Sequence, residues 1–493
     1  MPTSSAHPRL LVIGLDGAAF DLLKRWVTDG TLPAFARWLD AGAHGPLRSI
    51  PNLDPAWATF ATGLNPANHG IFHEMDWSTD HRSLRLMQAA DLHGQPFWRT
   101  ASDAGRRALV IHARFTYPAQ PINGILVAGA DSPDENTPHF GYPPHFLSNF
   151  RRQVGQYRLA SQIQALIKEN RMEDAIKDIF SVEAHRTEAL LFAMAQSDWD
   201  LAVITFDLPD AVQHFFWQQM AADDGPQRDA IQESYCFVEQ QIERLLAQAG
   251  ENTITLVLSD HGFGPICTTP EYLSSWLSSW GFLHRFDSKR QSLTQAIYAR
   301  LRRQLGEPQK ATLRRWLPGL RGRVEAALRL GGIDWAATTA YVGLSPCEVW
   351  INVRGREPQG IVTPGADYNQ VRDAVIAELV NWHNPAGQPY TQAIYRRENI
   401  YHGPFLDRAA DITIEWNPVT APPAASLPGN TSHFDGDHQP EGFLLAIGPG
   451  IKANTVIQKA NLQDIAPTIL NLLGITSPPQ MDGHVLVELI QSE

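Results

Sequence analysis

Short apolar runs that end in acidic residues recur along the chain and predict its fold. Each run has the length and apolar character of a buried parallel strand. The carboxyl ends of parallel strands meet at one edge of a sheet, where open α/β sheets bind ligands. We therefore expect Asp16, Asp207 and Asp260, which follow three such runs, to lie at the same edge. The three runs span residues 10–15, 201–206 and 253–258.

Helical patterns separate these runs. Apolar positions recur at helical spacing from Phe20 to Ala41 and from Met172 to Ala195. Strands that alternate with helices are typical of a doubly wound, mostly parallel sheet. The chain is therefore predicted to have an α/β core.

Two segments, 73–170 and 265–340, fit this alternation poorly. We predict a single domain over residues 1–493 in which these segments are insertions that form a cap over the sheet edge. Within the second insertion, residues 289–329 are basic and carry apolar side chains at roughly helical spacing. This basic segment is either a lid that attracts an anionic substrate, an interfacial helix on acidic lipid, or a solvated helical hairpin.

Composition excludes several classes of protein. A formal net charge of -12 argues against a general nucleic-acid binder, because such affinity comes from basic surface over phosphates. Three distant cysteines frame no disulfide scaffold, which favours a reducing compartment. No signal peptide or membrane-spanning run is visible. We therefore expect a cytoplasmic protein without a transmembrane segment; the sequence does not determine its oligomeric state.

Three motifs combine carboxylates with imidazoles. Asp210 and His214 stand four residues apart, which places them on one face of a helix. Asp260 and His261 follow an apolar run directly, and Gly262 would permit the sharp turn that points both into one site. His438 lies in a glycine-flanked loop before a further apolar run, 443–447. Such groups at one sheet edge indicate a metal site.

In these motifs the chain resembles the type I phosphodiesterase and nucleotide pyrophosphatase branch of the alkaline phosphatase superfamily, and most closely its intracellular predicted phosphohydrolase or phosphomutase members. The resemblance implies an alkaline-phosphatase-like three-layer α/β/α sandwich with a mostly parallel sheet. It spans nearly the whole chain in family order. The matching pieces are LVIGLDGA at 11–18, PAWATFATGLNPANHGIF at 55–72, DAVQHFFW at 210–217, LSDHGFGP at 258–265, INVRGREPQG at 351–360 and GDHQPEGFLLAIGPGI at 436–451.

The resemblance also implies a centre of two divalent metal ions. One ion would be held by Asp210, His214 and His438. The other would be held by Asp16, Asp260 and His261. Nitrogen and carboxylate ligands suit zinc, with manganese or iron as alternatives.

The chain departs from the family at the nucleophile. The family places a Thr or Ser two residues before the proline that leads to the Thr-Gly pair, and here that position is Leu53. A leucine cannot attack phosphorus. Asp54 could substitute as a catalytic carboxylate, or a water activated by the metals could attack directly. Otherwise catalysis is lost, and Asp54 only stabilises the turn before Pro55.

The expected function is metal-dependent hydrolysis of a small-molecule phosphate ester, either a monoester or a diester. One alternative is a catalytically silent homologue that binds metal and a phosphorylated ligand or partner. A second is phosphotransferase or mutase chemistry, against which Leu53 counts. Sulfatase activity is disfavoured because the Cys or Ser that matures into formylglycine is missing. Arg354 and Arg356 could bind a substrate phosphate or form an ion-paired structural turn.

Overall fold

The structure is a computed structural model that describes residues 8–77, 83–267, 269–286, 330, 332–417 and 434–491. The chain forms two compact units. Unit 1 comprises Met1–Ile71, Gln88–Ile266 and Gly429–Glu493, and unit 2 comprises Phe72–Met87 and Cys267–Pro428. The basic segment 289–329 lies outside the described residues.

The strands and helices alternate along unit 1 as the apolar pattern predicts. The elements of both units have the following bounds. The strands are β1 (Arg9–Leu15), β2 (Ala43–Arg48), β3 (Met75–Trp77), β4 (Leu84–Leu86), β5 (Ala108–Ile111), β6 (Gly124–Val127), β7 (Gly141–Tyr142), β8 (Leu201–Phe206), β9 (Thr253–Leu258), β10 (Gly262–Pro265), β11 (Ala340–Val342), β12 (Glu348–Ile351), β13 (Thr391–Arg396), β14 (Ile412–Trp416), β15 (Gly436–Gln439), β16 (Glu441–Ile447), β17 (Thr455–Val456) and β18 (Ala460–Asn461). The α-helices are α1 (Phe20–Thr28), α2 (Pro33–Ala41), α3 (Ala56–Thr62), α4 (Pro66–His69), α5 (Phe97–Asp103), α6 (His145–Gln153), α7 (Ile163–Lys168), α8 (Met172–Gln196), α9 (Asp210–Ala222), α10 (Ala230–Ala249), α11 (Leu273–Ser279), α12 (Ala366–Val380), α13 (Arg397–Ile400) and α14 (Ile465–Leu472).

A large, mostly parallel sheet forms the core of unit 1. Its strand order is β17-β2-β16-β9-β1-β8-β5-β6-β7, and β18 also pairs with β2. The five neighbours from β9 to β6 run parallel, whereas β16 is antiparallel to both β9 and β2. The side chains of β8 and β9 are buried throughout, because both faces of the sheet are covered. The predicted α/β class with a mostly parallel sheet is confirmed.

The register of the sheet brings the acidic strand ends together. Leu15 is aligned with Phe206, and Gly14 is aligned with Leu258. The backbone N–H of Asp16 donates to the carbonyl of Phe206 at 2.9 Å. The residues that follow β1, β8 and β9 therefore emerge at one edge, as predicted.

Helices of unit 1 pack in two groups that are consistent with the layers of an α/β/α sandwich. Helix α2 contacts α1, α10 and strand β16, and α10 contacts α8, which in turn packs on β5 and β8. In the other group, α3, α5 and α14 contact one another, and α5 packs on β5. The predicted helix from Phe20 to Ala41 is two helices, because Pro33 cannot donate a backbone hydrogen bond and instead begins α2.

The boundaries of the predicted cap differ from the two units. Of the first insertion, only residues 73–87 belong to unit 2, whereas Ala108–Ile111 and Gly124–Val127 are strands of the main sheet. Their apolar runs are only four residues long, which makes them hard to distinguish from the surrounding loops and aromatic residues. That the whole chain is one catalytic domain with a cap stays a prediction.

Unit 2 has its own antiparallel sheet and its own core. The sheet order is β11-β12-β14-β13, and β3 pairs with β4 in a separate hairpin. Helix α12 contacts β12 and β13, and Val375 and Leu379 on this helix are fully buried in the unit 2 core. Among the described helices of both units, none is long and apolar enough to cross a membrane.

Candidate metal centre

One trio of candidate ligands lies at the carboxyl ends of two central strands. Asp16 directly follows β1, and Asp260 and His261 follow β9. Their ligand atoms all lie within 4.8 Å of one another. Nε2 of His261 is 3.3 Å from Oδ1 of Asp16 and 3.7 Å from Oδ2 of Asp260. We refer to Asp16, Asp260 and His261 as the buried trio, because each is at most 6% exposed.

A second trio is formed by α9 and β15. Asp210 begins α9, and His214 stands one turn later on the same helical face. Nε2 of His214 is 3.4 Å from Oδ2 of Asp210, and Nε2 of His438 is 3.1 Å from Oδ1 of the same carboxylate. The two Nε2 atoms lie 3.0 Å apart. We refer to these residues as the outer trio, since their side chains are 16–33% exposed.

The pairing of β10 with β15 joins the two trios. Phe263 is aligned with His438 in this antiparallel ladder, which carries His438 back to the edge occupied by His261. The rings of His261 and His438 lie 4.2 Å apart between centroids. The six side chains therefore face one site, in the two groups that the family resemblance implies. Their role as metal ligands stays a prediction.

The orientation of the imidazoles fits a metal centre. Nδ1 of His261 lies 2.9 Å from the carbonyl of Gly262, and Nδ1 of His214 lies 3.1 Å from the carbonyl of Gly436. A proton on Nδ1 would satisfy each carbonyl and leave Nε2 as an acceptor directed at the carboxylates. Histidines that bind metals are oriented in this way by their other ring nitrogen. With three carboxylates and three imidazoles, the donor set suits zinc, manganese or iron.

Two glycines allow the close approach of these elements. Gly17 has φ +64, and a Cβ on it would lie 2.8 Å from Oδ1 of Asp210 and 3.1 Å from Cε1 of His261. Gly262 was expected to permit a sharp turn through its backbone freedom. It instead begins β10, and a Cβ there would lie 2.2 Å from the carbonyl oxygen of Glu441. Close packing of β10 on β16 is therefore the reason for a glycine at position 262.

The charges within the buried trio favour the binding of a cation. Burial raises the pKa of Asp260 to about 7, and the nearby Asp16 carboxylate adds to this rise although His261 opposes it. Burial disfavours the charged form of His261, but the carboxylates of Asp260 and Asp16 outweigh burial and raise its pKa to about 10. A cation placed among these groups would relieve the repulsion between the carboxylates.

The third acidic strand end has a different role. Asp207 follows β8 at the predicted edge, but its Oδ2 accepts a hydrogen bond from Arg186 at 2.7 Å. Nη1 of Arg186 donates to Oε1 of Glu183 at 2.7 Å. Arg186 and Glu183 are fully buried. Asp207 is thus part of an ion-paired network that anchors α8 to the end of β8.

The candidate nucleophile lies in the loop before α3. Asp54 is exposed, and Leu53 is partly buried. The carbonyl of Leu53 accepts from the N–H of Ala56 at 3.0 Å, so this loop leads directly into the helix. Among the described residues, the clusters that could hold a metal do not include Asp54. A catalytic role for Asp54 stays a prediction.

Arg114 is a residue at the site that the motifs did not reveal. Its Nη2 lies 3.0 Å from Oδ2 of Asp16. It follows β5, an apolar run that ends at the same sheet edge as β1 and β8. The pattern of an apolar run before a charged residue is present here, but residues 108–111 lie within the predicted insertion 73–170.

The arginines of the 351–360 motif lie in unit 2. Arg356 donates from Nη1 and Nη2 to the two carboxylate oxygens of Asp411, at 2.8 and 2.7 Å. Its Nε donates to Glu357 at 2.9 Å, and its Nη2 also donates to the carbonyl of Ile351 at 2.6 Å. Arg354 is exposed. These contacts favour the ion-paired structural turn over phosphate binding by Arg356.

The fold and the two trios are consistent with a member of the alkaline phosphatase superfamily. The model of one family, described as type I phosphodiesterase / nucleotide pyrophosphatase, matches residues 10–441. The chain therefore belongs to the type I phosphodiesterase / nucleotide pyrophosphatase family. The description of this family names phosphodiesterases and nucleotide pyrophosphatases.

A curated protein shows a local similarity. Arylsulfatase K of Mus musculus is 44% identical over 50 residues, which are 10% of this chain and 9% of that protein. The chain thus spans about a tenth of the length of this relative. So short a match does not extend to the activity of the whole protein.

Proposed function

We propose that this protein is a metal-dependent hydrolase of small-molecule phosphate esters with a two-metal centre. The observation that supports the proposal is the convergence of Asp16, Asp260 and His261 beside Asp210, His214 and His438 at one sheet edge. Crowded carboxylates are costly in the absence of a counter-charge, which favours a use for all six. Membership of a phosphodiesterase family agrees with this use.

The buried trio would hold one ion and the outer trio the other, with zinc as the proposed metal and manganese or iron as alternatives. When bound, two such ions would polarise the phosphoryl oxygens, lower the pKa of a bound water and stabilise the leaving oxygen. The outer trio is more exposed, since 33% of the His438 side chain is accessible. We infer that the ester approaches from the side of the outer trio.

The attacking group is either the carboxylate of Asp54 or a water. Leu53 offers no hydroxyl, so the covalent route of the family requires another side chain. Asp54→Asn separates the two possibilities, because it removes the carboxylate but preserves size. Loss of turnover in this variant with metal content unchanged would identify Asp54, and retained turnover would identify water.

A catalytically silent metal-binding homologue is the second candidate function, and Leu53 is the residue that favours it. Such a protein would bind a phosphorylated ligand or partner without hydrolysing it. A mutase would need a side chain that holds the phosphoryl group, and Leu53 counts against one. The cytoplasmic location is likewise a proposal; it agrees with Cys236, Cys267 and Cys347, which form no disulfide bond among the described residues.

The test is hydrolysis of p-nitrophenyl phosphate and bis(p-nitrophenyl) phosphate by protein loaded with zinc or manganese. Asp260→Ala should abolish turnover, whereas Asp198→Ala, which removes a fully exposed carboxylate, should retain it. The preferred ester would define a monoesterase or a diesterase. Binding of metal without turnover above the Asp260→Ala background would contradict the hydrolase and favour the silent homologue.

Leu53→Thr distinguishes a weak enzyme from a silent one. The substitution restores a hydroxyl at the position of the family nucleophile, and Leu53 is only partly buried, so the loop should tolerate it. In an active centre we expect a gain in turnover of at least about tenfold, less than the roughly hundredfold or more that an optimally positioned catalytic group contributes. No gain, with two metals bound, would show that the centre is not arranged for attack from this position.

A further inference from the structure

We propose that Arg114 is a positioning residue that acts through Asp16: it is a resident counter-cation that keeps the buried trio assembled before metal binds. The inference rests on the proposed two-metal function, because it concerns the same centre. It assigns a role to a side chain outside the six candidate ligands.

The contacts divide the two oxygens of Asp16 between two partners. Nη2 of Arg114 lies 3.0 Å from Oδ2, and Nε2 of His261 lies 3.3 Å from Oδ1. The guanidinium therefore holds one oxygen and leaves the other directed at the imidazole of the trio. This orients Asp16 as a ligand that presents a single oxygen to a metal.

The charges of the two trios explain why a cation is needed here. The buried trio contains two carboxylates and one imidazole, whereas the outer trio contains one carboxylate and two imidazoles. Asp16 and Asp260 are 6% and 2% exposed, so water can do little to stabilise two like charges. One guanidinium beside Asp16 offsets the second carboxylate of the buried trio. The more acidic and more buried trio is thus the one that receives the arginine.

The loop that carries Arg114 is held rigidly in an unusual conformation. His112 and Phe115, on either side of it, have φ values of 63° and 58°. Such left-handed backbone is unfavourable for residues other than glycine and tends to persist at functional sites. The hydroxyl of Thr116 donates to the carbonyl of Ala113 at 2.5 Å and accepts from the N–H of Gly129 at 3.0 Å. These bonds fix the direction in which Arg114 leaves the sheet edge.

A resident counter-cation and a bound metal stabilise the same carboxylates, so their effects on stability must be coupled. Arg114 should stabilise the metal-free protein more than the metal-loaded protein, because in the latter the ion supplies the positive charge. By thermodynamic linkage, loss of the guanidinium should also strengthen metal binding. A purely structural ion pair would show neither effect.

The experiment measures the Tm of wild type, Arg114→Met and Arg114→Lys, each in EDTA and each saturated with zinc. Methionine preserves much of the length of the side chain and removes its charge. We expect Arg114→Met to lower the metal-free Tm by about 3 °C or more, and zinc to reduce this deficit to less than half. Arg114→Lys should recover part of the metal-free Tm. In a chelator competition, Arg114→Met should bind zinc roughly tenfold more tightly, which corresponds to about 1.4 kcal/mol.

Arg158→Met is the matched control. Arg158 pairs with Asp178 at 2.6 Å, and the two side chains are 28% and 18% exposed, against 22% and 9% for Arg114 and Asp16. Its deficit in Tm should be the same with and without zinc, because neither partner belongs to a trio.

The outcomes separate this inference from the proposed function. If Arg114→Met lowers the Tm equally in EDTA and in zinc, the proposed role of Arg114 as a counter-cation is overturned. A wild-type Tm that does not respond to zinc or manganese would overturn both the counter-cation and the metal centre. If the loss of Tm in Arg114→Met depends on metal but the wild-type protein hydrolyses neither ester, the result supports the counter-cation role and contradicts only the hydrolase function.

Discussion

Replacement of Arg186 by methionine should cause a large loss of stability, because this residue is a fully buried charge on α8. Its Nη1 donates to Glu183 at 2.7 Å. Its Nη2 donates to Asp207 at 2.7 Å and to the carbonyl of Leu159 at 2.8 Å. Arg186→Met fills a similar volume but removes the guanidinium donor from two carboxyl groups and a carbonyl.

The magnitude follows from what the two carboxyl groups can do once the guanidinium is gone. Removing one partner of a buried ion pair typically costs about 3–5 kcal/mol. The side chain of Asp207 is 27% exposed, so water can recover part of its hydration. Burial raises the pKa of Glu183 to about 8 even though Arg186 opposes the rise, so without the guanidinium its carboxyl can take up a proton at neutral pH rather than stay charged. Both effects reduce the cost, and we expect a loss of about 3 kcal/mol in the free energy of unfolding.

Urea denaturation at pH 7, followed by circular dichroism, measures this loss. The matched control is Arg244→Met, since Arg244 also pairs with a residue of α8, Glu188, but the two side chains are 43% and 37% exposed. Exposed pairs contribute at most about 1 kcal/mol. If Arg186→Met is no more destabilising than Arg244→Met, the reasoning about the buried network is refuted.

Three further predictions concern the site and its surroundings. Gly17→Ala should weaken metal binding at least about tenfold in chelator competition, because its Cβ would lie 2.8 Å from Oδ1 of Asp210 and 3.1 Å from Cε1 of His261; unchanged affinity would show that the trios can move apart freely. His214→Ala should leave one tightly bound ion per chain after desalting, measured by mass spectrometry, and two ions would exclude His214 as a ligand. Burial raises the pKa of Asp131 from 3.8 to about 6. A carboxyl whose folded-state pKa is raised contributes stability that is present at pH 4 and lost as pH rises through 6, by about 3 kcal/mol at most. Asp131→Asn should reduce the fall in the urea midpoint between pH 4 and pH 7, and a fall equal to that of wild type would contradict the assignment.

The strands and the local ligand pairs were predictable because short-range chemistry determines them. Apolar runs of the right length specified β1, β8 and β9 with nearly the observed bounds. The spacing of Asp210 and His214 placed both on one face of α9, since residues four apart lie one above the other on a helix. Pro33 indicates the break between α1 and α2, although the helical periodicity continues across it.

The sequence predicts less well which segments join the main sheet and which belong to unit 2. The runs Ala108–Ile111 and Gly124–Val127 are four residues each, too short for periodicity alone to distinguish strand from loop. They are strands because β8 offers an unpaired edge to β5, and β5 offers one to β6. That pairing is a long-range event, which the short apolar runs alone do not specify.

Local sequence thus determined which side chains can bind a cation, whereas the folded chain decided which of them meet. His438 reaches His261 only through the ladder of β10 with β15, and Arg114 reaches Asp16 only because β5 and β1 both pair with β8. Asp207 lies at the expected edge but is not part of either trio, because it pairs with Arg186 of α8. The reason is that charge, size and periodicity are properties of neighbouring residues, whereas the partner of a buried charge is selected by packing between distant parts of the chain.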